Sequence, residues 1–167
     1  AQASSSKLLI MPVSSTIALL IATKNRCDDL LFTLSKIQYL WNDHVTCVVF
    51  DDGSSDGTFE KVQAQFPQIK MYRNEVAKGY LYCRNKMLNE CTADYAVSLD
   101  DDAHFLTENP LEISIDYFEQ HPQCGLLATR IFWSKAPSEY LNTNELPQQV
   151  KSFVGCGHIW RMKAWHE

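Results

Sequence analysis

The sequence lacks a hydrophobic run long enough to cross a bilayer, so it predicts no transmembrane segment. It also lacks a basic run or a basic helix, and its formal net charge is −5. Proteins that bind nucleic acid usually carry a positive patch, so we expect no nucleic-acid partner. Internal repeats and low-complexity segments are missing too. A chain of 167 residues is long enough for one domain with a sizeable core.

The six cysteines include no Cys-x-x-Cys pair and no spacing that is typical of a metal site. Several of them stand inside predicted strands or on predicted helix faces. Buried, reduced thiols are typical of cytoplasmic proteins, whereas a disulfide framework is typical of secreted ones. We therefore expect free cysteines and a cytoplasmic location.

Four short apolar runs alternate with helical patterns along most of the chain. The runs at 16–23 and 95–99 have the length and composition of buried strands, and those at 44–50 and 69–73 are predicted as the second strand and a short third strand. Apolar residues recur at helical spacing in four sets: Leu30, Leu34, Ile37 and Trp41; Phe59, Val62 and Phe66; Leu81, Leu88 and Cys91; and Leu111, Ile115 and Phe118. This alternation predicts an α/β fold with a mostly parallel sheet flanked by helices.

The two ends of the chain give weaker patterns. We expect residues 1–15 to form a poorly ordered lead and residues 16–167 to form a single domain. Toward the C-terminus the sequence predicts strands at 125–133 and 150–154, a polar mobile loop at 134–147 that lies over a site, and a helix that begins near Lys163.

Three consecutive aspartates, Asp100, Asp101 and Asp102, follow the fourth predicted strand. Adjacent carboxylates repel one another, and a divalent cation with oxygen ligands, Mg²⁺ or Mn²⁺, would relieve that repulsion. Side chains alternate along a strand, so we expect Asp101 on the side opposite to the other two. An acidic turn that caps the next helix is the alternative. Polar clusters also follow the first two strands, at 23–26 and 51–53, and sheets of this kind bind ligands at such strand ends.

Four segments occur in a characteristic order and spacing. They are Ile-Ala-Thr-Lys-Asn-Arg at 21–26, Val-Val-Phe-Asp-Asp-Gly-Ser-Ser-Asp-Gly-Thr at 48–58, Lys-Gly-Tyr-Leu-Tyr-Cys-Arg-Asn at 78–85, and Leu-Asp-Asp-Asp at 99–102. Together they resemble the family 2 glycosyltransferases, which have the Rossmann-like GT-A fold. The resemblance implies a nucleoside-diphosphate sugar as donor, with a UDP-sugar favoured, and Mn²⁺ or Mg²⁺ as cofactor.

The resemblance also implies which residues bind the nucleotide base. In the family, the turn after the first strand lines the base, and that turn corresponds here to Ala22, Thr23, Asn25 and Arg26. The aspartate after the second strand usually accepts a hydrogen bond from the base. That residue is Asp51 in this sequence.

The same resemblance assigns three further residues. Arg84 would lie near the base or the diphosphate. Asp100 would face the ribose, and Asp102 would bind the metal that holds the diphosphate. Asp52 and Asp101 complete the predicted substrate-binding set, with a role in shaping loops and caps as the alternative for both.

The catalytic base is the point at which this sequence departs from the family. In inverting members, a carboxylate beyond a glycine turn, which corresponds here to part of 154–161, deprotonates the acceptor hydroxyl. Glu167 comes too early for that role, so the catalytic residue is unassigned and we expect an N-terminal, donor-binding part of a longer enzyme. His158, at the end of the glycine turn, is expected to shape the turn.

The resemblance implies inverting transfer to a saccharide or lipid-linked acceptor, as in the synthesis of cell-envelope polysaccharides. We expect a cytoplasmic enzyme, either free or peripheral to a membrane. A donor-binding fragment without catalysis is the second hypothesis. A phosphatase of the haloacid dehalogenase type is the third, because such enzymes also carry an Asp-x-Asp motif after a strand.

Overall fold

The computed structural model of the chain describes residues 15–133 and 147–167. The predicted lead falls outside these ranges except for Ser15, and the predicted mobile loop falls outside them except for Pro147. Within the described ranges the chain forms six strands and five α-helices.

The strands form one sheet. They are β1 (Ile17–Thr23), β2 (Val45–Asp51), β3 (Lys70–Arg73), β4 (Tyr95–Asp100), β5 (Leu126–Ala128) and β6 (His158–Arg161). Their order in the sheet is β3-β2-β1-β4-β6-β5. Strands β1 to β4 are parallel to one another, and β6 is antiparallel to both β4 and β5. The predicted mostly parallel sheet is therefore confirmed.

The helices follow the strands in the predicted alternation. They are α1 (Cys27–Ile37), α2 (Thr58–Gln65), α3 (Tyr80–Glu90), α4 (Pro110–Gln120) and α5 (Met162–His166), and a short 3₁₀ helix, Gln38–Leu40, follows α1. Asp28 and Asp29 in the first turn of α1 stabilise the positive end of the helix dipole. Pro110 begins α4, where a missing N–H leaves no hydrogen bond unmade.

The core has two parts because successive side chains of β1 point to opposite faces of the sheet. Ile17, Leu19 and Ile21 pack against apolar residues of α1, α2 and α4 on one face. Ala18 and Leu20 pack against α3 and α5 on the other. Burial of one large aliphatic side chain contributes about 1.5–3 kcal/mol, so the central strand is firmly held between two helical layers. That rigidity fixes the position of the loops that follow the strands.

Trp41 does not belong to its predicted helix, and Leu81 belongs to its predicted helix but is exposed. Trp41 lies beyond α1 and the 3₁₀ helix, where it packs edge-on against Phe66 with 5.8 Å between the ring centroids. Leu81 is 56% exposed, although it lies on the same side of α3 as the buried Leu88. The sheet therefore covers the later turns of that helix side and not its first turn.

Two predicted strands also differ from the structure. The strand predicted at 125–133 is only Leu126–Ala128, because β6 offers partners for three of its residues. Residues 150–154 form no strand. The free edge of β4 is taken by β6, so the earlier segment has no edge of β4 to pair with.

The six cysteines are all free thiols, as predicted. Four of them are buried and two are half-buried. Among the described residues no helix combines the length and the apolar character that a membrane span requires.

Candidate active site

The carboxyl ends of β1, β2 and β4 meet at one edge of the sheet. Thr23 is in register with Asp51, and Ala22 is in register with Asp100, so the three following loops begin side by side. A cleft of about 620 Å³ lies over this edge. Another cleft, of about 500 Å³, lies near Asp94 at the opposite end of β4. Ligands of parallel sheets bind at the carboxyl ends of the strands, so the first cleft is the candidate site.

Eight of the ten predicted site residues line this cleft: Ala22, Thr23, Arg26, Asp52, Arg84, Asp100, Asp101 and Asp102. The other two, Asn25 and Asp51, are not among the residues that line it. Five residues outside that set of ten also line it, namely Lys24, Ala77, Gly79, Tyr80 and Gly155. Tyr80 begins α3, and its ring lies 5.5 Å from the guanidinium carbon of Arg84. The sequence feature that could have indicated Tyr80 is its position directly after Gly79, at the start of a predicted helix.

The acidic triplet is divided between an exposed and a buried environment. Asp100 accepts a hydrogen bond from Arg84 at 2.8 Å, and Asp102 accepts one from Arg26 at 2.8 Å. Asp101 points inward and accepts a hydrogen bond from the Thr23 hydroxyl at 2.8 Å. Asp101 thus has a different environment from Asp100 and Asp102, as expected, although β4 ends at Asp100 and residues 101 and 102 form a turn.

The pKa of the Asp101 carboxyl is raised above its ordinary value. Its burial raises the pKa, and the hydrogen bond from Thr23 and the positive charge of Arg26 oppose that rise. The pKa stays above its ordinary value, because the negative charges of Asp102 and Asp100 add to the effect of burial. The buried carboxyl of Asp101 thus links the acidic triplet to Thr23 at the end of β1.

Asn25 joins the first loop to the second. It has a positive φ of 53°, a conformation that asparagine tolerates better than most residues. Its N–H donates to the Ser54 hydroxyl at 2.9 Å, and its side-chain oxygen accepts from the N–H of Ser55 at 2.7 Å. The structure thus shows Asn25 shaping the loop wall. Its predicted contact with a base stays a prediction.

Asp51 is fully buried at the end of β2. One carboxylate oxygen accepts from the N–H of Ser54 at 2.8 Å, and the other lies 3.6 Å from Nε of Arg73. That second oxygen has no hydrogen bond within the described ranges. A buried carboxylate oxygen without a donor is a strong potential acceptor.

Asp52 holds the loop between β3 and α3. Its side chain accepts hydrogen bonds from Asn74 at 2.7 Å, from the N–H of Lys78 at 2.8 Å and from the N–H of Gly79 at 2.8 Å. Burial alone would raise the pKa of Asp52, but these hydrogen bonds lower it below the ordinary value. Of the two predicted alternatives for Asp52, the structure shows the loop-shaping one. Its contact with a substrate stays a prediction.

The glycine turn before β6 closes another side of the cleft. A Cβ on Gly155 would lie 3.1 Å from Nη1 of Arg84, so glycine lets the guanidinium pass. His158 follows this turn as the first residue of β6 and is only 4% exposed. Burial, together with the positive charge of Arg84, lowers the pKa of His158 to about 4. A neutral, buried histidine therefore supports this side of the site.

A divalent cation fits the exposed carboxylates only together with oxygen atoms from a ligand. Within residues 15–133 and 147–167, no group of three or more His, Cys, Asp or Glu side chains gathers into a metal cage. Asp100 and Asp102 are about half exposed, at 47% and 51%, and each pairs with an arginine through one oxygen. Mg²⁺-type ions are commonly held by one or two carboxylates plus phosphate oxygens and water, which matches this donor set.

Three solved structures share this architecture. A mannosyltransferase of Pyrobaculum calidifontis, PcManGT, in complex with GDP-Man and Mn²⁺, has a TM-score of 0.70 and 18% identity, with 90% of this chain and 45% of that chain covered. TarS of S. aureus has a TM-score of 0.69 and 16% identity, with 90% of this chain and 29% of that chain covered. The structure of TarS residues 1–349 in complex with UDP-GlcNAc has a TM-score of 0.69 and 17% identity, with 90% of this chain and 46% of that chain covered.

This chain spans less than half the length of each of these structures. No curated protein matches it in sequence. The family model described as glycosyl transferase family 2 matches residues 18–165, which include every loop of the cleft described above. The chain therefore belongs to glycosyl transferase family 2 and has the GT-A fold.

Proposed function

We propose that this chain is the donor-binding part of a metal-dependent glycosyltransferase. The donor would be a nucleoside-diphosphate sugar, with a UDP-sugar favoured. The observation that carries the proposal is the meeting of two exposed carboxylates, Asp100 and Asp102, with two arginines, Arg26 and Arg84, in one cleft. Carboxylates hold a divalent cation, and guanidinium groups bind phosphate oxygens, so this set matches a metal-bound diphosphate.

Asp51 and the first loop are proposed to bind the base. The carboxylate oxygen of Asp51 that lacks a donor within the described structure is an acceptor of the kind that a base N–H would use once local movement of the loop exposes it, since Asp51 is fully buried. Ala22 and Thr23 line the cleft next to it in the sheet. Thr23 and Asn25 are also held by hydrogen bonds to the neighbouring loops, which would keep the base site rigid.

Transfer of the sugar requires departure of the nucleoside diphosphate. The cation, when bound to Asp102, would neutralise charge that develops on the diphosphate. Arg84 is well placed for the same task, since it is largely buried and held between Tyr80 and Gly155. A fixed positive group stabilises developing charge without reorganisation.

The acceptor is proposed to be a saccharide or a lipid-linked saccharide, attacked with inversion. The free thiols support a cytoplasmic location, and a lipid-linked acceptor would place the protein at the periphery of a membrane. Apart from Asp52 and the triplet, no carboxylate of the described residues lines the cleft. That observation favours a second candidate, in which this chain binds the donor without turning it over.

The phosphatase hypothesis is withdrawn. In that class the aspartate pair follows the first strand of the fold, whereas here the triplet follows β4. The family match also assigns residues 18–165 to a different class of enzyme.

The test is calorimetric titration of the 167-residue chain with UDP and with GDP, each with and without Mn²⁺. We expect Mn²⁺ to tighten binding of one nucleotide by at least about tenfold, equal to about 1.4 kcal/mol. Asp102→Ala should abolish that gain while the circular dichroism spectrum stays native.

Asp43→Ala is the matched control, because Asp43 is an exposed aspartate near the start of β2, away from the cleft. It should bind like the wild type. A folded wild-type protein that binds neither nucleotide would overturn the proposal.

A further inference from the structure

Arg26 lies among three carboxylates at the open side of the cleft. Its Nη2 lies 2.8 Å from Oδ2 of Asp102 and 3.0 Å from Oδ2 of Asp29. Its Nε lies 3.3 Å from Oδ1 of Asp101. A single guanidinium thus provides positive charge to two of the three aspartates of the triplet.

The other arginine of the site is held differently. The side chain of Arg84 is only 13% exposed, and it lies between the ring of Tyr80 and the backbone of Gly155. The side chain of Arg26 is 44% exposed. Arg26 therefore has room to change its rotamer, whereas Arg84 does not.

A guanidinium and a divalent cation compete for the same carboxylate. A cation that binds Asp102 would lie next to Oδ2, the oxygen that Arg26 contacts, and the two positive charges would repel each other at that distance. Cation binding without a further anion therefore competes with the Arg26–Asp102 pair. When a diphosphate is present, its oxygen atoms can accept the guanidinium that Asp102 releases.

We propose that Arg26 is a positioning residue that makes cation binding depend on the nucleotide. It holds Asp102 when the site has no ligand and moves to the diphosphate when cation and nucleotide enter together. The inference rests on the proposed function, and it adds that the cation and the nucleotide bind with positive coupling through one side chain. Coupling of this kind is reciprocal, so each ligand tightens the other by the same factor.

The experiment is titration of Mn²⁺ followed by electron paramagnetic resonance, which measures free Mn²⁺ without any enzymatic activity. It is done on wild type and on Arg26→Gln, without nucleotide and with saturating UDP, or GDP if that is the nucleotide that binds. Without nucleotide, we expect Arg26→Gln to bind Mn²⁺ about two- to fivefold more tightly, because an ion pair that competes for Asp102 is gone. With nucleotide bound, Arg26→Gln and wild type should bind Mn²⁺ equally tightly. The factor by which the nucleotide tightens Mn²⁺ binding is then smaller in the variant than in wild type.

Lys24→Gln is the matched control. Lys24 lines the same cleft but forms no ion pair among the residues that the structure describes, so its removal tests the general effect of charge. It should change the affinity for Mn²⁺ less than Arg26→Gln does. Asp102→Asn in the Arg26→Gln protein should remove the gain, which assigns it to that carboxylate.

Two results separate the inference from the proposed function. If Arg26→Gln binds Mn²⁺ no more tightly than wild type or Lys24→Gln, the inference is overturned even if UDP binds well. If wild type binds neither UDP nor GDP, the proposed function fails, yet tighter Mn²⁺ binding by Arg26→Gln would still support competition at Asp102. Failure of every variant to bind Mn²⁺ would overturn the inference as well.

Discussion

Asp52 shows how one buried carboxylate determines the shape of a loop. It accepts the backbone N–H groups of Lys78 and Gly79 and the side-chain amide of Asn74. Asp52→Asn replaces one acceptor oxygen by a donor, which leaves a backbone N–H unpaired. We expect a loss of about 1–3 kcal/mol in the free energy of unfolding, measured with urea, and faster hydrogen exchange at both backbone amides.

The N–H of Asn74 is an internal control for that measurement. It donates to the backbone oxygen of Asp51 at 2.9 Å, so its exchange should respond less to the substitution. Unchanged exchange at Lys78 and Gly79 would contradict the tethering role of Asp52.

His158 makes stability depend on pH. Its pKa is lowered from 6.5 to about 4 in the folded protein, mainly by burial, so between these values the unfolded chain binds a proton that the folded chain does not. Stability then falls as the pH decreases through this window. For this residue we expect a loss of about 2 kcal/mol between pH 7 and pH 5, measured by urea unfolding.

His158→Gln serves as the comparison, since glutamine stays neutral throughout. The variant should lose less stability than wild type over the same pH interval, whatever its stability at pH 7. Equal losses in the two proteins would show that His158 does not carry the pH dependence.

At the scale of elements, the glycine turn requires Gly157 for two separate reasons. The residue has a φ of +66°, and a Cβ there would lie 2.3 Å from Oγ1 of Thr129. That hydroxyl is held in place, because it donates to the Gly157 carbonyl at 2.7 Å. We expect Gly157→Ala to reduce the free energy of unfolding by about 2–4 kcal/mol, measured with urea, from backbone strain and overpacking together.

Gly57 separates the two causes. It has a similar φ of +82°, but a Cβ there would meet only the end of the flexible Lys61 side chain, at 3.8 Å. Gly57→Ala should therefore cost only about 1 kcal/mol. Similar losses for the two variants would mean that the contact with Thr129 has no energetic role.

At the scale of the whole molecule, the sequence was sufficient to predict the central sheet. Strands β1, β2 and β4 are largely apolar runs because helices cover both of their faces, and such runs are readable without a structure. The extent of β5 was not readable, because it depends on how many residues β6 offers as partners. The exposure of Leu81 likewise depends on where the sheet ends beneath α3.

The candidate site was predictable to the extent that it follows from topology. Parallel strands bring their following loops to one edge, which explains why eight of ten predicted residues share a cleft. The partners of the side chains were not predictable. Arg26 and Asp102 are separated by 76 residues in the chain, and Asp52 and Gly79 by 27, so their contacts depend on the packed tertiary structure.

The two ends of the β1–β4 pair carry matching threonine–aspartate hydrogen bonds. Thr16 donates to Asp94 at 2.9 Å, Thr23 donates to Asp101 at 2.8 Å, and both links join residues 78 positions apart. During synthesis, β1 can pair with β2 once Asp51 has left the ribosome, but neither link can form until its aspartate has been made. The carboxylate side of the cleft is thus completed later in translation than the side that follows β2.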